Sequence, residues 1–314
     1  MTADRAVLLF ACFGVPPEAW ATALTASLPG VAVRFWPDAG SPQDIDYVLA
    51  WNLPEGFLGQ FPNLRAIFSL GAGVERLLAD PTVPRGLPLI RMVDPSLAAA
   101  MNEFVLMRVL HYHRRMPEFE AQQRSGLWRQ LAAPLAANRV VGVMGLGQIG
   151  LVCANSLVSL GFSVRGWSRT AKDVRGVQTF AGIRQLPAFL AGAEILVCLL
   201  PLTTDTRGIL NSATFAHLPH GAALINVARG GHLVEADLIA ALDDGRLSAA
   251  TLDVFQTEPL PADHAFWRDP RITVIPHAAA LTEPTTAAPI IATNIARDRT
   301  GEPLSHVIDR KSGY

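Results

Sequence analysis

The glycine-rich segment Gly145-Leu146-Gly147-Gln148-Ile149-Gly150 constrains the fold of this chain more than any other feature. It follows the apolar run RVVGVM and leads into the helical pattern QIGLVCANSLVSL. A strand, a tight glycine turn and a helix in this order form the first half of a βαβ unit, whose strand lies in a parallel sheet. The segment therefore predicts a parallel sheet covered by helices.

Short β-rich runs alternate with helical segments along the rest of the chain. The first part contains RAVLLFAC, VAVRFW, YVLAW, LRAIFSL and PLIRMV, and the second contains RVVGVMG, FSVRGWS, EILVCLLP, AALINVA, SAATLDVF and ITVIP. Strands that are buried on both faces of a parallel sheet are almost continuously apolar, as these runs are. We therefore predict an α/β protein with two doubly wound parallel-sheet domains. The favoured boundaries are 1–101 with 281–314 for one domain, and 102–280 for a second domain inserted in the first.

Two long helical patterns flank the second domain. One runs from Pro95 to about Trp128, with Ser96 as a possible cap and Pro117 as a break or kink. The other is the C-terminal segment EPTTAAPIIATNIARDRTGEP, which we predict to be a helix despite Pro289.

Composition limits the class of partner and the compartment. The 314 residues include 26 Lys and Arg against 27 Asp and Glu, so we expect neither a nucleic-acid partner nor a membrane partner. Cys12, Cys153 and Cys198 lie far apart in apolar runs, which predicts buried thiols in a reducing compartment. The first apolar run is too short for a signal peptide or a membrane span. We therefore predict a cytoplasmic protein.

The glycine segment also predicts a ligand. Gly145 permits a tight turn, Gly147 lets the backbone approach a pyrophosphate, and Gly150 allows close packing of the helix on the strand. The N-terminus of the following helix supplies unsatisfied N–H groups and partial positive charge. The combination predicts a dinucleotide-binding domain of the Rossmann type, with a structural turn as the alternative interpretation.

The end of the next strand indicates which dinucleotide is bound. An NAD site usually carries Asp or Glu there, whereas this chain has Ser168, Arg169 and Thr170, followed by Lys172. Arg169 can pair with a 2′-phosphate, and the two hydroxyls can donate hydrogen bonds to it. We therefore predict NADP(H) in preference to NAD(H), with an exposed basic turn as the alternative.

Three candidate catalytic residues follow later strands. Arg229 comes after LINVA, Glu258 after LDVFQT and His277 after ITVIP, and ligands of such sheets bind at the carboxyl ends of the strands. Reduction of a carbonyl beside a carboxylate needs this trio. Arg229 can polarise the oxygen and hold the carboxylate, His277 can donate a proton, and Glu258 can orient the imidazole. We expect Gly230 and Gly231 to leave room for nicotinamide and substrate.

These motifs resemble those of the D-isomer-specific 2-hydroxyacid dehydrogenase family, and most of all its glyoxylate/hydroxypyruvate reductase A branch. The resemblance rests on GLGQIG, WSRTAK, CLLPLTTDTRGIL, LINVARGGHLVEADLIAAL, TLDVFQTEPL, HAFWRDPRITVIPHAAALT and VIDRKSGY, and it is weaker before Arg139. It implies a flavodoxin-like substrate-binding domain around the Rossmann domain, and a homodimer. It also implies the catalytic roles given above for the trio.

The same resemblance implies further site residues. Asp253 would hold the nicotinamide carboxamide, and backbone at Pro201, Val227 and Ala228 would line the cofactor. Substrate carboxylate would meet N–H groups of Gly71, Ala72 and Gly73, while Trp51 and Arg268 are candidate pocket walls that ordinary packing explains nearly as well. Two positions depart from the family pattern, PHAAA at the histidine and Glu75 in place of Asp.

The expected activity is NADPH-dependent reduction of glyoxylate or hydroxypyruvate. Bulkier, phenylpyruvate-like acids are the alternative substrates, and an NAD(P)H-sensing binding protein on the same fold is the alternative class. The remaining histidines have no ligand spacing; His111 and His113, for example, lie on different faces of a helix. We therefore expect no metal site.

Overall fold

The computed structural model describes residues 5–71 and 73–310. Ala72, predicted to contact substrate, lies outside the described residues. The strands are β1 (Val7–Cys12), β2 (Ala32–Phe35), β3 (Tyr47–Trp51), β4 (Ala66–Ser69), β5 (Leu89–Ile90), β6 (Val140–Met144), β7 (Ser163–Ser168), β8 (Val177–Ala181), β9 (Ile195–Cys198), β10 (Ala222–Asn226), β11 (Leu247–Leu252) and β12 (Ile272–Val274). The helices are α1 (Glu18–Ser27), α2 (Glu75–Ala79), α3 (Pro95–His113), α4 (Met116–Arg124), α5 (Gln148–Ser159), α6 (Leu186–Leu190), α7 (Ser212–Ala216), α8 (Glu235–Asp243) and α9 (Pro284–Thr300).

The larger sheet has seven parallel strands in the order β12-β11-β10-β9-β6-β7-β8. The strand order reverses at β6, which pairs with β7 on one side and β9 on the other. Such a reversal opens a crevice at the carboxyl ends of the strands, where ligands of this architecture bind. The glycine segment begins at that end of β6, so it lies at the switch point.

The smaller sheet has five parallel strands in the order β2-β1-β3-β4-β5, which is the flavodoxin-like order. The prediction of two doubly wound parallel sheets is therefore confirmed. The chain divides into two compact units, one that ends at Leu97 and resumes at Leu281, and a second from Ala98 to Ala280. Each sheet has an apolar cluster on both faces, as the continuous hydrophobicity of its strands requires.

The long helical pattern breaks next to Pro117, as predicted, whereas the cap of α3 and the strand β8 differ from the sequence prediction. The long helical pattern is two helices, because Arg115 adopts a left-handed conformation (φ 61°) and Pro117 lies in the first turn of α4. Asp94, not Ser96, caps α3: its carboxylate accepts the Ser96 N–H at 2.9 Å and the Ser96 hydroxyl at 2.8 Å. The edge strand β8 was not predicted, since only one of its residues is a β-branched aliphatic.

All three cysteines are free and buried, as predicted, and burial raises the pKa of Cys153 to about 12. Among residues 5–71 and 73–310, no helix is both long and apolar enough to cross a membrane.

Candidate active site

His277 and Glu258 form a hydrogen-bonded pair at the carboxyl ends of β12 and β11. The imidazole Nδ1 lies 2.8 Å from Glu258 Oε2, and the Phe255 N–H donates to the other carboxylate oxygen at 2.9 Å. Because Glu258 accepts at Nδ1, the Nε2 atom of the ring is directed away from the carboxylate. Both side chains are about one-third exposed, at 29% for His277 and 34% for Glu258, so the pair can reach a ligand.

Electrostatics keep Glu258 ionised. Burial raises the pKa of the Glu258 carboxyl. Hydrogen bonds from His277 and the Phe255 N–H lower this pKa, as do the charges of His277 and Arg229, and together these effects outweigh burial. The net shift is downward, so the group is a carboxylate near neutral pH. It can therefore accept the imidazole N–H near neutral pH.

Backbone contacts hold His277 in an uncommon conformation. Its φ of 51° lies in the left-handed region, which costs free energy for a residue with a side chain. Its N–H donates to Asp253 O at 2.9 Å, and Asp253 Oδ1 accepts the N–H groups of Ala278 at 2.7 Å and Ala279 at 2.9 Å. Asp253 thus fixes the segment that carries the imidazole. This contact accounts for Asp253 without a cofactor, and its predicted contact with nicotinamide stays a prediction.

Arg229 lies on a tightly held turn after β10. The buried amide of Asn226 accepts the Ala228 N–H at 3.2 Å and donates to Arg229 O at 3.2 Å. The guanidinium donates to Ala228 O at 2.6 Å, and its charge lowers the pKa of Glu258. Unit Ala98–Ala280 therefore brings Arg229, Glu258 and His277 into one electrostatic group.

The two glycines after Arg229 do not leave space for a ligand, so that expectation was wrong. A Cβ on Gly230 would lie 1.9 Å from the backbone carbon of Phe255, and one on Gly231 would lie 2.9 Å from the Leu202 side chain. The space belongs to neighbouring loops of the chain itself. Gly230 lets the loop of Arg229 lie against the loop that leads to Glu258, and Gly231 lets it lie against Leu202.

Gly145 and Gly150 have the packing roles predicted from their spacing, and the predicted approach of Gly147 to a pyrophosphate stays a prediction. Gly145 has φ 104° and packs on the Leu199 backbone, while a Cβ on Gly150 would lie 1.8 Å from Gly145 O. A Cβ on Gly147 would meet nothing within 4 Å. Gly147 is also the N-cap of α5, where no side chain caps the helix. Backbone N–H groups of Gln148 and Ile149, next to the buried Leu146, thus begin a helix beside open space.

The residues predicted to bind the 2′-phosphate of the cofactor follow β7. Arg169, Thr170 and Lys172 are exposed, whereas Ser168 is buried. The Ser168 hydroxyl donates to Thr170 O at 2.8 Å, so its proton shapes the turn rather than pointing to solvent. Arg169 and Lys172 supply positive charge there, at the carboxyl end of the strand that pairs with β6.

The remaining predicted contacts are placed as follows. Val227 and Ala228 are buried in the turn before Arg229, and Pro201 is half-buried. Arg268 is exposed, directly after a 3₁₀ turn at Ala265–Trp267.

In the other unit, Trp51 and Gly71 are in contact. A Cβ on Gly71 would lie 2.7 Å from the Trp51 ring, so the glycine is required by this packing. Gly73 accepts the Ser69 hydroxyl at 3.0 Å through its carbonyl, before α2 begins at Glu75. The structure thus gives Gly71 a packing role, and the contact of both glycines with substrate stays a prediction.

One residue near the site was passed over in the sequence because it lacks metal-ligand spacing. His232 is completely buried (0% exposed) and its ring contacts Arg229 and Pro201. Its position three residues after Arg229, within a run of small and apolar residues, was the available signal. Within the described part of the chain, no group of three or more His, Cys, Asp and Glu could hold a metal ion.

Comparisons with known proteins agree with this arrangement. The family profile described as "D-isomer specific 2-hydroxyacid dehydrogenase, NAD binding domain" matches residues 106–279. Glyoxylate/hydroxypyruvate reductase A of Serratia proteamaculans is 45% identical over 302 residues, which cover 95% of this chain and 96% of the relative.

Two solved structures are similar over nearly the whole chain. A D-isomer-specific 2-hydroxyacid dehydrogenase of Xanthobacter autotrophicus Py2, in complex with NADPH and MES, has a TM-score of 0.93 at 45% identity, covering 99% of this chain and 100% of that one. An NADPH-dependent glyoxylate/hydroxypyruvate reductase of Sinorhizobium meliloti, in complex with NADP and sulfate, also has a TM-score of 0.93, at 38% identity with the same coverage. The resemblance inferred from the motifs is confirmed, and the chain belongs to the D-isomer-specific 2-hydroxyacid dehydrogenase family.

Proposed function

We propose that this protein reduces a small 2-oxo acid, glyoxylate or hydroxypyruvate, to the 2-hydroxy acid with NADPH. The observation that carries the proposal is the 2.8 Å His277–Glu258 pair, held in the same unit as the Arg229 turn and the glycine segment. A proton donor, a fixed cation and a dinucleotide cradle are the three groups that this reduction needs. The unit Ala98–Ala280 would be the dinucleotide-binding domain and the other unit the substrate-binding domain.

The described residues fit a dinucleotide. Gly147 borders open space, and the uncapped N-terminus of the twelve-residue α5 begins there, as a pyrophosphate site requires. The segment Gly145–Gly150 would hold the pyrophosphate, and Pro201, Val227, Ala228 and Asp253 would line the nicotinamide end. When bound, the cofactor supplies a hydride to the carbonyl carbon.

His277 would give the carbonyl oxygen its proton. The Glu258 carboxylate occupies Nδ1 of the ring, so Nε2 is the atom that presents the proton to substrate. Loss of that proton leaves a neutral imidazole still hydrogen-bonded to Glu258. Solvent can then return the proton, since both side chains are partly exposed.

Arg229 would bind the negative charge of the substrate. A guanidinium can accept the carboxylate in a two-point contact and can polarise the adjacent carbonyl oxygen. Its backbone is fixed by Asn226 before substrate arrives, so little ordering is needed on binding. Backbone N–H groups of Gly71, Ala72 and Gly73, together with Trp51 and Arg268, would complete the substrate contacts.

NADP(H) would be preferred to NAD(H). The relatives from Xanthobacter autotrophicus Py2 and Sinorhizobium meliloti contain NADPH and NADP, which supports the same cofactor here. Exposed Arg169 and Lys172 supply the charge for a 2′-phosphate, and Thr170 supplies a hydroxyl. The turn from Ser168 to Lys172 contains no carboxylate to repel that phosphate.

The protein would act as a homodimer. Several large apolar side chains are exposed, with Met107 at 52% in α3, and with Trp128 at 96%, Leu135 at 74% and Leu127 at 50% between α4 and β6. Large apolar side chains with this much exposure are typical of a surface that another protein covers. The self-association of the enzyme can be measured by sedimentation equilibrium, where a monomer at micromolar concentration would contradict this part of the proposal. The three free thiols fit a cytoplasmic location.

The decisive experiment compares initial rates of NADPH and NADH oxidation with glyoxylate, hydroxypyruvate, pyruvate and phenylpyruvate. We expect a strong NADPH preference and fast turnover of glyoxylate and hydroxypyruvate. An NADH preference would contradict the role of Arg169, and turnover of phenylpyruvate alone would contradict the substrate class. Binding of NADPH with no turnover of any acid would contradict the enzymatic function and favour a sensor.

A further inference from the structure

We propose that His232 is a positioning residue that fixes the backbone of Arg229 and the carbonyl of Pro201 through opposite sides of one imidazole. The inference rests on the proposed function, in which Arg229 binds the substrate carboxylate and Pro201 lines the nicotinamide. One buried ring would therefore fix the position of the cation that binds the substrate and also of the carbonyl that lines the cofactor.

His232 cannot touch a ligand itself. It is completely buried and lies at the end of the 3₁₀ turn Gly230–His232, directly after Arg229. An imidazole enclosed in this way needs partners for its nitrogen atoms, because an unsatisfied buried polar atom is costly. Arg229 and Pro201, to which the ring nitrogens lie close, are both in the proposed site.

Hydrogen-bond chemistry selects the tautomer of the ring. Nε2 lies 3.3 Å from Pro201 O, which can only accept, so Nε2 must carry the hydrogen. Nδ1 lies 3.2 Å from the Arg229 N–H, which can only donate, so Nδ1 must be the acceptor. Nδ1 is also 3.1 Å from Arg229 O, but a hydrogen on Nδ1 instead of Nε2 would leave the Arg229 N–H and Pro201 O without these bonds. The neutral Nε2–H tautomer satisfies both loops.

Backbone hydrogen bonds join the same two loops on either side of the ring. Leu210 N–H donates to His232 O at 2.8 Å, and Gly208 N–H donates to Gly231 O at 2.9 Å. Pro201 O also accepts the Thr206 hydroxyl at 2.7 Å, which fixes the far side of that carbonyl. The two loops are therefore already paired as backbone, and the imidazole determines the position of the one residue in each that faces a ligand.

Two near-isosteric substitutions separate the two bonds. In His232→Asn the amide oxygen takes the place of Nδ1 and keeps an acceptor for the Arg229 N–H, while the donor to Pro201 is lost. In His232→Gln the longer amide places its NH₂ near Nε2 and keeps the donor to Pro201, while the Arg229 acceptor is lost. His232→Leu removes both, and His220→Asn at an exposed position is the matched control.

The kinetic constants of each variant are measured for NADPH and for the 2-oxo acid, together with thermal unfolding. We expect His232→Asn to raise the KM for NADPH by about tenfold with little change in the KM for the acid. We expect His232→Gln to do the reverse by about the same factor. A residue that acted only through overall stability would not produce this crossed pattern.

The outcomes separate the inference from the proposed function. Equal changes in both constants for Asn and Gln, or no change in either, would overturn the role of His232 while wild-type turnover stands. Absence of turnover in the wild type would contradict the proposed function, and the NADPH dissociation constant of His232→Asn, measured by fluorescence, would still test the contact with Pro201. If His232→Leu does not fold, the Asn and Gln variants carry the test.

Discussion

Two groups of loops at the carboxyl edge of the seven-stranded sheet contain arginines in different surroundings. The site side consists of the loops after β10, β11 and β12, with Arg229, Glu258 and His277. The cofactor side consists of the segments after β6 and β7, with the glycine segment and the turn from Ser168 to Lys172. Both lie at the carboxyl ends of parallel strands in one sheet.

The site side is held by many contacts. Asn226 and His232 form hydrogen bonds with the backbone of Arg229. The Gly230 backbone lies against Phe255. The Asp253 carboxylate accepts a backbone N–H from the segment that carries His277. On the cofactor side, Gly147 has no neighbour at its Cβ position, and Arg169 and Lys172 are exposed. Proton and charge transfer depend on sub-ångström placement, whereas attraction of a phosphate depends mainly on charge. Substitutions on the site side should therefore affect chemistry or folding, and those on the cofactor side only binding.

The largest effect is expected for His277→Gln. Without the imidazole no group is placed to protonate the carbonyl oxygen, so kcat/KM for glyoxylate should fall by about 10²- to 10⁴-fold. The NADPH dissociation constant and the thermal unfolding midpoint should stay near the wild-type values. Steady-state kinetics and a fluorescence titration measure these quantities, with His220→Asn as control. A fall of less than tenfold would remove His277 as the proton donor.

Gly230→Ala should lower stability, whereas Gly147→Ala should weaken only the binding of NADPH. A methyl group at position 230 would overlap the Phe255 backbone at 1.9 Å, so we expect a loss of about 3 kcal/mol in the free energy of unfolding. The same methyl group at position 147 meets nothing, so stability should be unchanged while NADPH binding weakens by about tenfold. Urea unfolding and NADPH titration of both variants test the contrast. Loss of stability in Gly147→Ala, or unchanged stability in Gly230→Ala, would contradict it.

The buried Asp253 makes stability depend on pH. Burial raises its pKa from 3.8 to about 6, against the two N–H groups that lower it. Because the carboxyl pKa is higher in the folded protein than in the unfolded chain, the protonated group stabilises the fold. This stabilisation is fully present below pH 3.8, the pKa in the unfolded chain, and is lost as the pH rises through about 6. Relative to Asp253→Asn, whose amide oxygen can still accept both N–H groups, the wild type should lose about 2 kcal/mol between about pH 4 and about pH 7.

Urea unfolding at a series of pH values measures this difference. Asp269→Asn is the matched comparison, because the hydrogen bonds from Arg271 lower the pKa of Asp269. Its contribution should have the opposite sign, present above the ordinary carboxyl pKa and lost as pH falls. If the free energy of unfolding depended on pH in the same way for the wild type and Asp253→Asn, burial would not raise the pKa of this carboxyl.

The sequence predicts features of this fold that depend on neighbouring residues along the chain. The strands and the glycine segment were predictable because burial on both faces and glycine spacing are local signals. Arg229, Glu258 and His277 were predictable as candidates, because each follows an apolar strand and the carboxyl ends of parallel strands share one edge.

What could not be predicted depends on contacts between distant segments. The space beside Gly230 is filled by Phe255, and the nitrogens of His232 are matched to Pro201 and Arg229; neither follows from spacing along the chain. For the same reason Ser168 was expected to face a phosphate, whereas its hydroxyl bonds within its own turn. Local pattern predicts elements and candidate residues, but not which neighbour occupies a given space.

The smallest effect is expected for Arg169→Gln on the cofactor side. Arg169 lies on an exposed turn, so its loss should leave stability and the rate with saturating NADPH unchanged. The KM for NADPH should rise by about tenfold because the charge-assisted contact with the 2′-phosphate is lost, and the KM for NADH should not change. Arg175→Gln, at another exposed arginine of the same segment, controls for a general loss of positive charge. If both substitutions raised the KM for NADPH equally, selectivity would come from the summed charge of the surface. If Arg169→Gln also raised the KM for NADH, the turn would act on the whole dinucleotide rather than on the 2′-phosphate that distinguishes NADPH from NADH.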